Sequence, residues 1–105
     1  MEKNLQEYKD RLSLDMKFIE LINTLSKLEI LPDPMVGSLY VLIGEIVIYA
    51  TPFWEDCDGL AIEVYNDFGE VLDSKDIDFN VTGDIEKDAT LYVELLENYI
   101  NEKKY

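Results

Sequence analysis

The chain contains no histidine, a single cysteine, five glycines and few basic side chains. The lack of histidine excludes serine triads and cysteine–histidine dyads, and it removes the commonest general base and metal ligand. No glycine-rich phosphate-binding loop is present. The lone Cys57 excludes an internal disulfide and is typical of a reducing compartment. We therefore expect a cytoplasmic protein that is not an enzyme and uses no cofactor.

Carboxylates alone could hold a hard cation, and the acidic loop that ends at Gly59 is the best candidate. Aligning Gly59 with the glycine of an EF-hand loop places Asp56 and Asp58 at ligand positions. Trp54 and Tyr65 then stand where the first and last acidic ligands belong, so the pattern fails at both ends. We predict no metal site. Because Asp56 and Asp58 flank Cys57, we also expect its thiol to be unreactive.

Long apolar segments are missing as well. No run reaches the 18 or more residues that a membrane-spanning helix needs. The chain opens with Met1-Glu2-Lys3-Asn4 and lacks the apolar segment of a signal peptide, so we expect no secretion. With 105 residues, 48% hydrophobic and 30% charged, the composition is that of an ordinary globular protein. We predict one domain over residues 1–105.

Acidic residues dominate the charge, with 23 acids against 9 bases and a net charge of -14. Residues 1–27 carry five acids and five bases, whereas residues 28–102 carry eighteen acids against only Lys75 and Lys87. Direct binding to nucleic acid or to an anionic membrane is disfavoured, because both need clustered basic residues. Self-repulsion on this scale opposes compactness, so the acids indicate either a basic partner or a need for solubility.

The hydrophobic pattern predicts helices at both ends of the chain. Residues 3–28 form two adjacent apolar stripes of helical period, either as one helix or as two helices with Ser13 capping the second. Pro32 and Pro34 should end this helical region. A last helix is predicted from about Ile85 to Lys103, with a cap at Thr82 or Asp84.

Between the helices, the pattern predicts antiparallel strands. Residues 38–50 form a hairpin around Gly44-Glu45, apolar on both faces, which suggests a central position or cover on both sides. Residues 60–74 form a second hairpin around a turn at 66–69, and residues 76–81 form another strand or a continuation past a bulge. The predicted fold is α+β: one or two N-terminal helices, an antiparallel sheet of four to five strands and a C-terminal helix.

The acids of the second hairpin form rows, since strand residues two apart lie on the same face. Such rows resemble the phosphates along a nucleic-acid strand, and a cationic nucleic-acid groove would accept them. Aromatic residues beside the acids are typical interface anchors. The alternative is a solvated face that only provides solubility. The predicted partner-binding residues of this region are Trp54, Glu55, Asp56, Asp58, Glu63, Tyr65, Asp67, Phe68, Glu70, Asp76 and Asp78.

Two families of small acidic inhibitors from phages and mobile elements share this layout. The segment Glu29-Ile30-Leu31-Pro32-Asp33, followed by the hairpins between Gly44 and Asp73, is similar to the acidic Leu-Pro segment before the sheet of uracil-DNA glycosylase inhibitors. In that family an acidic residue of this segment and an apolar pocket between helix and sheet carry the inhibition. The resemblance therefore implies a partner contact at Glu29. The long final helix departs from the best-known members.

The second resemblance is to anti-CRISPR proteins that block RNA-guided nucleases. Residues 61–70, Ala-Ile-Glu-Val-Tyr-Asn-Asp-Phe-Gly-Glu, resemble the acidic hairpin of such inhibitors, and an acid-rich helix follows. Both resemblances imply a DNA mimic that inhibits a DNA- or RNA-processing enzyme. Two alternatives stay open: an immunity protein that neutralises a basic nuclease toxin, and a scaffold or oligomerisation module, such as a homodimer formed through the N-terminal helix.

Overall fold

A computed structural model describes residues 2–55 and 57–105, with side chains described from Leu5 onward. The helices are α1 (Glu2–Arg11), α2 (Met16–Leu25) and α3 (Ile85–Lys103), with a short 3-10 helix over Leu12–Leu14. The strands are β1 (Leu31–Asp33), β2 (Ser38–Ile43), β3 (Ile46–Pro52), β4 (Leu60–Tyr65) and β5 (Val71–Ile77). They form one antiparallel sheet in the order β1-β2-β3-β4-β5. The predicted α+β class is confirmed.

The N-terminal region forms two helices, which settles the alternative that the sequence left open. Asp15 has an extended backbone, and its side chain accepts hydrogen bonds from the backbone N–H groups of Lys17 at 2.9 Å and Phe18 at 3.2 Å. Asp15 is therefore the cap of α2, and the expectation that Ser13 caps it is wrong. The Ser13 hydroxyl is buried and donates instead to the carbonyl of Gly37 at 3.0 Å.

Two predicted boundaries also need correction. The second helix ends at Leu25 rather than at residue 28, and Leu31–Asp33 forms a short edge strand that pairs with β2 and was not predicted. The strand predicted over residues 76–81 is the end of β5, which continues past a bulge and stops at Ile77. Beyond it Phe79 turns into the core, where its ring stacks on Phe53 with 5.7 Å between centroids. Both hairpin turns lie as predicted, with Gly44 and Gly69 at positive φ.

The core lies between one face of the sheet and the helices. Tyr92 of α3 is fully buried, contacts Phe18 of α2 edge to face at 5.4 Å, and donates its hydroxyl to the carbonyl of Ala50 at 2.5 Å. Burial raises the pKa of Tyr92 above its ordinary range. The inward-facing sheet residues of this core are Leu39, Val41, Ile48, Ala50, Leu60, Ile62 and Val64.

A buried carboxylate joins the two ends of the chain. Asp88 accepts hydrogen bonds from Thr82 N–H at 2.8 Å, Thr82 hydroxyl at 3.0 Å, Gly83 N–H at 3.1 Å and Tyr8 hydroxyl at 2.5 Å. Burial, and then this hydrogen bond to a carboxylate, raise the pKa of Tyr8. Since the carboxylate has four donors, its desolvation is compensated and α1 is attached to the start of α3. Of the two predicted caps, Asp84 is the residue that caps α3.

Candidate functional site: the open face of the sheet

Within the part of the chain that the structure describes, one face of the sheet carries no helix. Because side chains alternate along a strand, the residues paired across β2 to β5 sort into the core face and an opposite face, here called the open face. No helix residue is among the residues that line its groove. The open face comprises Ser38, Tyr40 and Leu42 of β2, Val47, Tyr49 and Thr51 of β3, Ala61, Glu63 and Tyr65 of β4, and Val71, Ser74 and Asp76 of β5.

Three tyrosines form a row across the open face. Tyr40 and Tyr49 are paired across β2 and β3 with ring centroids 5.8 Å apart, and Tyr49 meets Tyr65 of β4 edge to face at 5.8 Å. All three are only half-buried. Leu42, which lies on the same face two residues closer to the β2–β3 turn than Tyr40, is 61% exposed. The part of the open face formed by β2 and β3 is therefore largely apolar and aromatic, whereas β4 and β5 add the carboxylates of Glu63 and Asp76.

A groove of about 570 Å³ runs over β3 and β4 on this face. The indole of Trp54 bounds one end, where Cζ3 lies 4.0 Å from the position that a Cβ atom on Gly37 would take. The β4–β5 turn bounds the other end. No lysine or arginine is among the described lining residues, which are Asp33, Val36, Ser38, Val47, Tyr49, Thr51, Trp54, Ala61, Glu63, Tyr65, Asn66, Asp67 and Gly69.

Glu63 lies in the middle of the groove and is held in place. The Tyr65 hydroxyl donates to Glu63 Oε1 at 3.0 Å, and this hydrogen bond raises the pKa of Tyr65. Glu63 is half-buried, and among the described residues it has no ion pair. The groove thus presents a positioned carboxylate beside aromatic rings, and none of its described lining residues is basic.

The β4–β5 turn is stiffened by one side chain. Asn66 Oδ1 accepts hydrogen bonds from the N–H groups of Phe68 and Glu70, both at 2.9 Å, and Asn66 Nδ2 donates to Glu70 Oε1 at 2.9 Å. The turn therefore holds Asp67 at the end of the groove and presents Phe68, whose side chain is 84% exposed.

The structure brings together some of the predicted contacts. Glu63, Tyr65, Asp67 and Trp54 line the main groove. A neighbouring shallow groove of about 270 Å³ adds Glu55 and Asp76, beside Trp54 and Glu63. Phe68 and Glu70 lie at the turn, and Asp58 is exposed in the β3–β4 loop. The acidic residues thus lie along the groove and at both of its ends, with aromatic side chains beside them.

Other predicted contacts lie elsewhere. Asp78 follows the end of β5 and lines a depression with Asn98 and Glu102 of α3, so the expected row does not continue from Asp76 along a strand. Glu29 is exposed just before edge strand β1, and three interstrand spacings, about 14 Å, separate β1 from β4. Asp56 lies outside the described residues.

Sequence reasoning missed several groove residues. Tyr49 was not among the predicted contacts, and neither were Asp33, at the end of β1, and Val36 of the β1–β2 connection. The period-two pattern was present in residues 38–50, but both faces of these strands are apolar, so alternation alone could not identify the face that stays open.

Cys57 carries the only thiol of the chain. Burial, and then the carboxylates of Asp76 and Asp58, raise the pKa of the Cys57 thiol, which disfavours the nucleophilic thiolate. No group of three or more metal-ligating side chains occurs in the described part of the chain. Within the same residues, no helix is long and apolar enough to cross a membrane.

A scan against protein-family models found no match, and searches of curated proteins and of solved structures found none either.

Proposed function

We propose that this protein is a non-catalytic inhibitor that binds the cationic nucleic-acid channel of a DNA- or RNA-processing enzyme, in the manner of anti-CRISPR proteins or uracil-DNA glycosylase inhibitors. The observation that carries the proposal is the set of acidic side chains on and around the open face that no described basic side chain neutralises. Within the described residues, only Asp73 forms an ion pair, with Lys103 at 3.4 Å. Carboxylates without internal partners remain available to the basic side chains of another protein.

The arrangement of the acids supports this proposal. Glu63 and Asp76 lie on the same face of neighbouring strands at diagonal positions, about 7–8 Å apart by sheet geometry. Lys75 points to the opposite face, so it does not neutralise them. Acids spread over a stiff sheet, and not over a mobile tail, can match a cationic surface at a low entropic cost of ordering.

The test is affinity capture with the tagged full-length protein from nuclease-treated bacterial lysate, eluted with rising salt and identified by mass spectrometry. We expect a DNA- or RNA-handling enzyme that is displaced by added duplex DNA and released at moderate salt, because steering between opposite charges is screened by ions. Recovery of the protein alone, or of partners indifferent to salt and DNA, would overturn the proposal.

A matched pair of variants locates the surface. Reversing Asp67 and Asp76 to lysine should abolish capture of the enzyme, whereas reversing Glu20 and Glu94, exposed residues of α2 and α3, should leave capture intact. Both variants change the net charge equally. Equal loss in both would mean that only the overall charge matters.

The scaffold alternative retains one supporting observation. Leu14 and Met16, before and at the start of α2, are 51% and 65% exposed, and Leu25 at its end is 48% exposed. Light scattering across a concentration series distinguishes the alternatives: a scaffold dimerises through this helix, and Met16→Glu would then abolish dimerisation.

A further inference from the structure

We propose that the groove over β3 and β4 binds an arginine side chain in a short extended segment of the partner protein, with the guanidinium on Glu63. This inference deepens the proposed function and rests on it for the nature of the partner. The charge and the shape of the groove determine which occupant it fits.

Charge defines the class of occupant. Acids lie at both ends and in the middle of the groove, Asp33, Asp67 and Glu63, and none of its described lining residues is basic. An anionic or neutral ligand would leave Glu63 without a counter-ion in a partly desolvated site. A cationic side chain of the partner protein would act as the counter-ion of Glu63.

The aromatic lining favours arginine over lysine. A guanidinium is planar, stacks on aromatic faces and can donate two parallel hydrogen bonds to a carboxylate. Tyr49, Trp54 and Tyr65 supply rings around Glu63, and the Tyr65 hydroxyl already occupies Glu63 Oε1 from one side. Tyr65 thus acts as a positioning residue, because it orients the carboxylate that receives the cation.

The size of the groove indicates more than one side chain. It extends along β4 from Ala61 to Tyr65, about 13 Å by strand geometry. That length matches an extended segment of about four residues. The apolar groups of Val36 and Val47 in the lining suit apolar neighbours of the arginine.

Trp54 is the only tryptophan of the chain, so its fluorescence reports directly on the groove. The probe is an acetylated and amidated pentapeptide, Gly-Leu-Arg-Leu-Gly, titrated into the full-length protein at low salt. Controls replace arginine with lysine or with citrulline, which is neutral and nearly isosteric. We expect saturable changes in Trp54 emission, with affinity decreasing from arginine to lysine to citrulline.

Variants assign the site. Glu63→Gln should weaken binding of the arginine peptide about tenfold or more, as expected on losing a charge-assisted hydrogen bond, and should leave citrulline binding unchanged. Tyr65→Phe should weaken arginine binding by a smaller factor, again without changing citrulline binding. Glu94→Gln, which removes the same charge from α3, should bind like the wild type.

The inference is overturned if citrulline and arginine peptides bind equally, if Glu63→Gln binds like Glu94→Gln, or if calorimetry and fluorescence detect no binding. Concentration-dependent loss of Trp54 exposure without peptide would instead assign the groove to a second copy of this chain. Capture of a nucleic-acid enzyme that depends on Asp67 and Asp76 but not on Glu63 would leave the proposed function standing without this inference. If the arginine peptide binds as expected but no nucleic-acid enzyme is captured, this inference stands and the proposed function is overturned.

Discussion

At the scale of single residues, Asp73 shows how one carboxylate joins the edge of the sheet to the final helix. Its side chain accepts a hydrogen bond from the Tyr99 hydroxyl and pairs with Lys103 Nζ at 3.4 Å. The Tyr99 hydroxyl first, and then Lys103, lower the pKa of Asp73 below its ordinary value of 3.8. Burial, and then the hydrogen bond to Asp73, raise the pKa of Tyr99.

This lowered pKa predicts a pH-dependent contribution to stability. Because the carboxylate of Asp73 is favoured in the folded state, its contribution is present above the unfolded-state pKa and is lost as pH falls through the lower folded-state pKa. Asp73→Asn should therefore reduce the free energy of unfolding at pH 7, and the difference from the wild type should shrink between about pH 5 and pH 2. Urea unfolding at several pH values measures this.

The control for this prediction is Asp78→Asn. Asp78 is an exposed residue just beyond β5. It should change stability little at any pH, because it has no hydrogen-bond or ion-pair partner among the described residues. If the difference in the free energy of unfolding between wild type and Asp73→Asn stayed constant down to pH 2.5, the pH-dependent role of the Asp73 carboxylate would be contradicted.

At the scale of elements, α2 depends on its cap. The break between α1 and α2 leaves the first N–H groups of α2 without partners inside the helix. Asp15 satisfies two of them, those of Lys17 and Phe18, and so places Phe18 in the core against Tyr92.

Asp15→Ala should lower the free energy of unfolding by about 1 kcal/mol, within the usual range of roughly 0.5–2 kcal/mol for an N-cap. Asp15→Asn is the matched comparison, since its side-chain oxygen can cap the same N–H groups and most of the stability should remain. Urea denaturation followed by circular dichroism measures both. Equal losses in the two variants would indicate a role for the charge and not for the cap.

The edge strand β5 is protected by its own sequence. Asp73 and Lys75 point to the helix-covered side of the sheet, and a bulge lies opposite Val64 and Tyr65. Inward charges and bulges on an edge strand hinder pairing with another strand. This arrangement disfavours the pairing of β5 with a strand of another chain.

At the scale of the whole molecule, the net charge of -14 opposes folding through self-repulsion. Raising NaCl from about 0.1 M to 1 M shortens the Debye length from about 10 Å to about 3 Å. We therefore expect the melting temperature to rise with salt, by roughly 4–8 °C for each kcal/mol gained. Thermal unfolding by circular dichroism measures the slope.

A charge-reversal variant separates this repulsion from general salt effects. Glu20→Lys combined with Glu94→Lys reduces the net negative charge away from the groove. It should melt higher than the wild type at low salt and show a smaller increase with NaCl. Identical slopes in the two proteins would rule out self-repulsion as the cause.

Much of the fold could be predicted because its signals are local. The helical spacing of apolar residues from Ile85 to Lys103, with Asp84 as a cap before it, predicted α3. Gly44 and Gly69 predicted the positions of the two hairpin turns. Strand β1 was missed because its three residues include Pro32 and are too few to show a strand pattern. They form a strand by pairing with β2. Ser13 and Asp15 are both good caps, and only the packing of Ser13 against Gly37 decides between them.

The sequence by itself determined the absence of histidine chemistry, the excess of carboxylates over most of the chain, and the α+β order of helices and strands. These depend on composition and on spacing along the chain. Only the tertiary structure decided which sheet face is open and which acids meet the aromatic rings. The physical reason is that β2 and β3 are apolar on both faces, so the choice depends on where α2 and α3 pack, with Phe18 and Tyr92 covering one face and leaving Tyr40, Tyr49 and Tyr65 on the other.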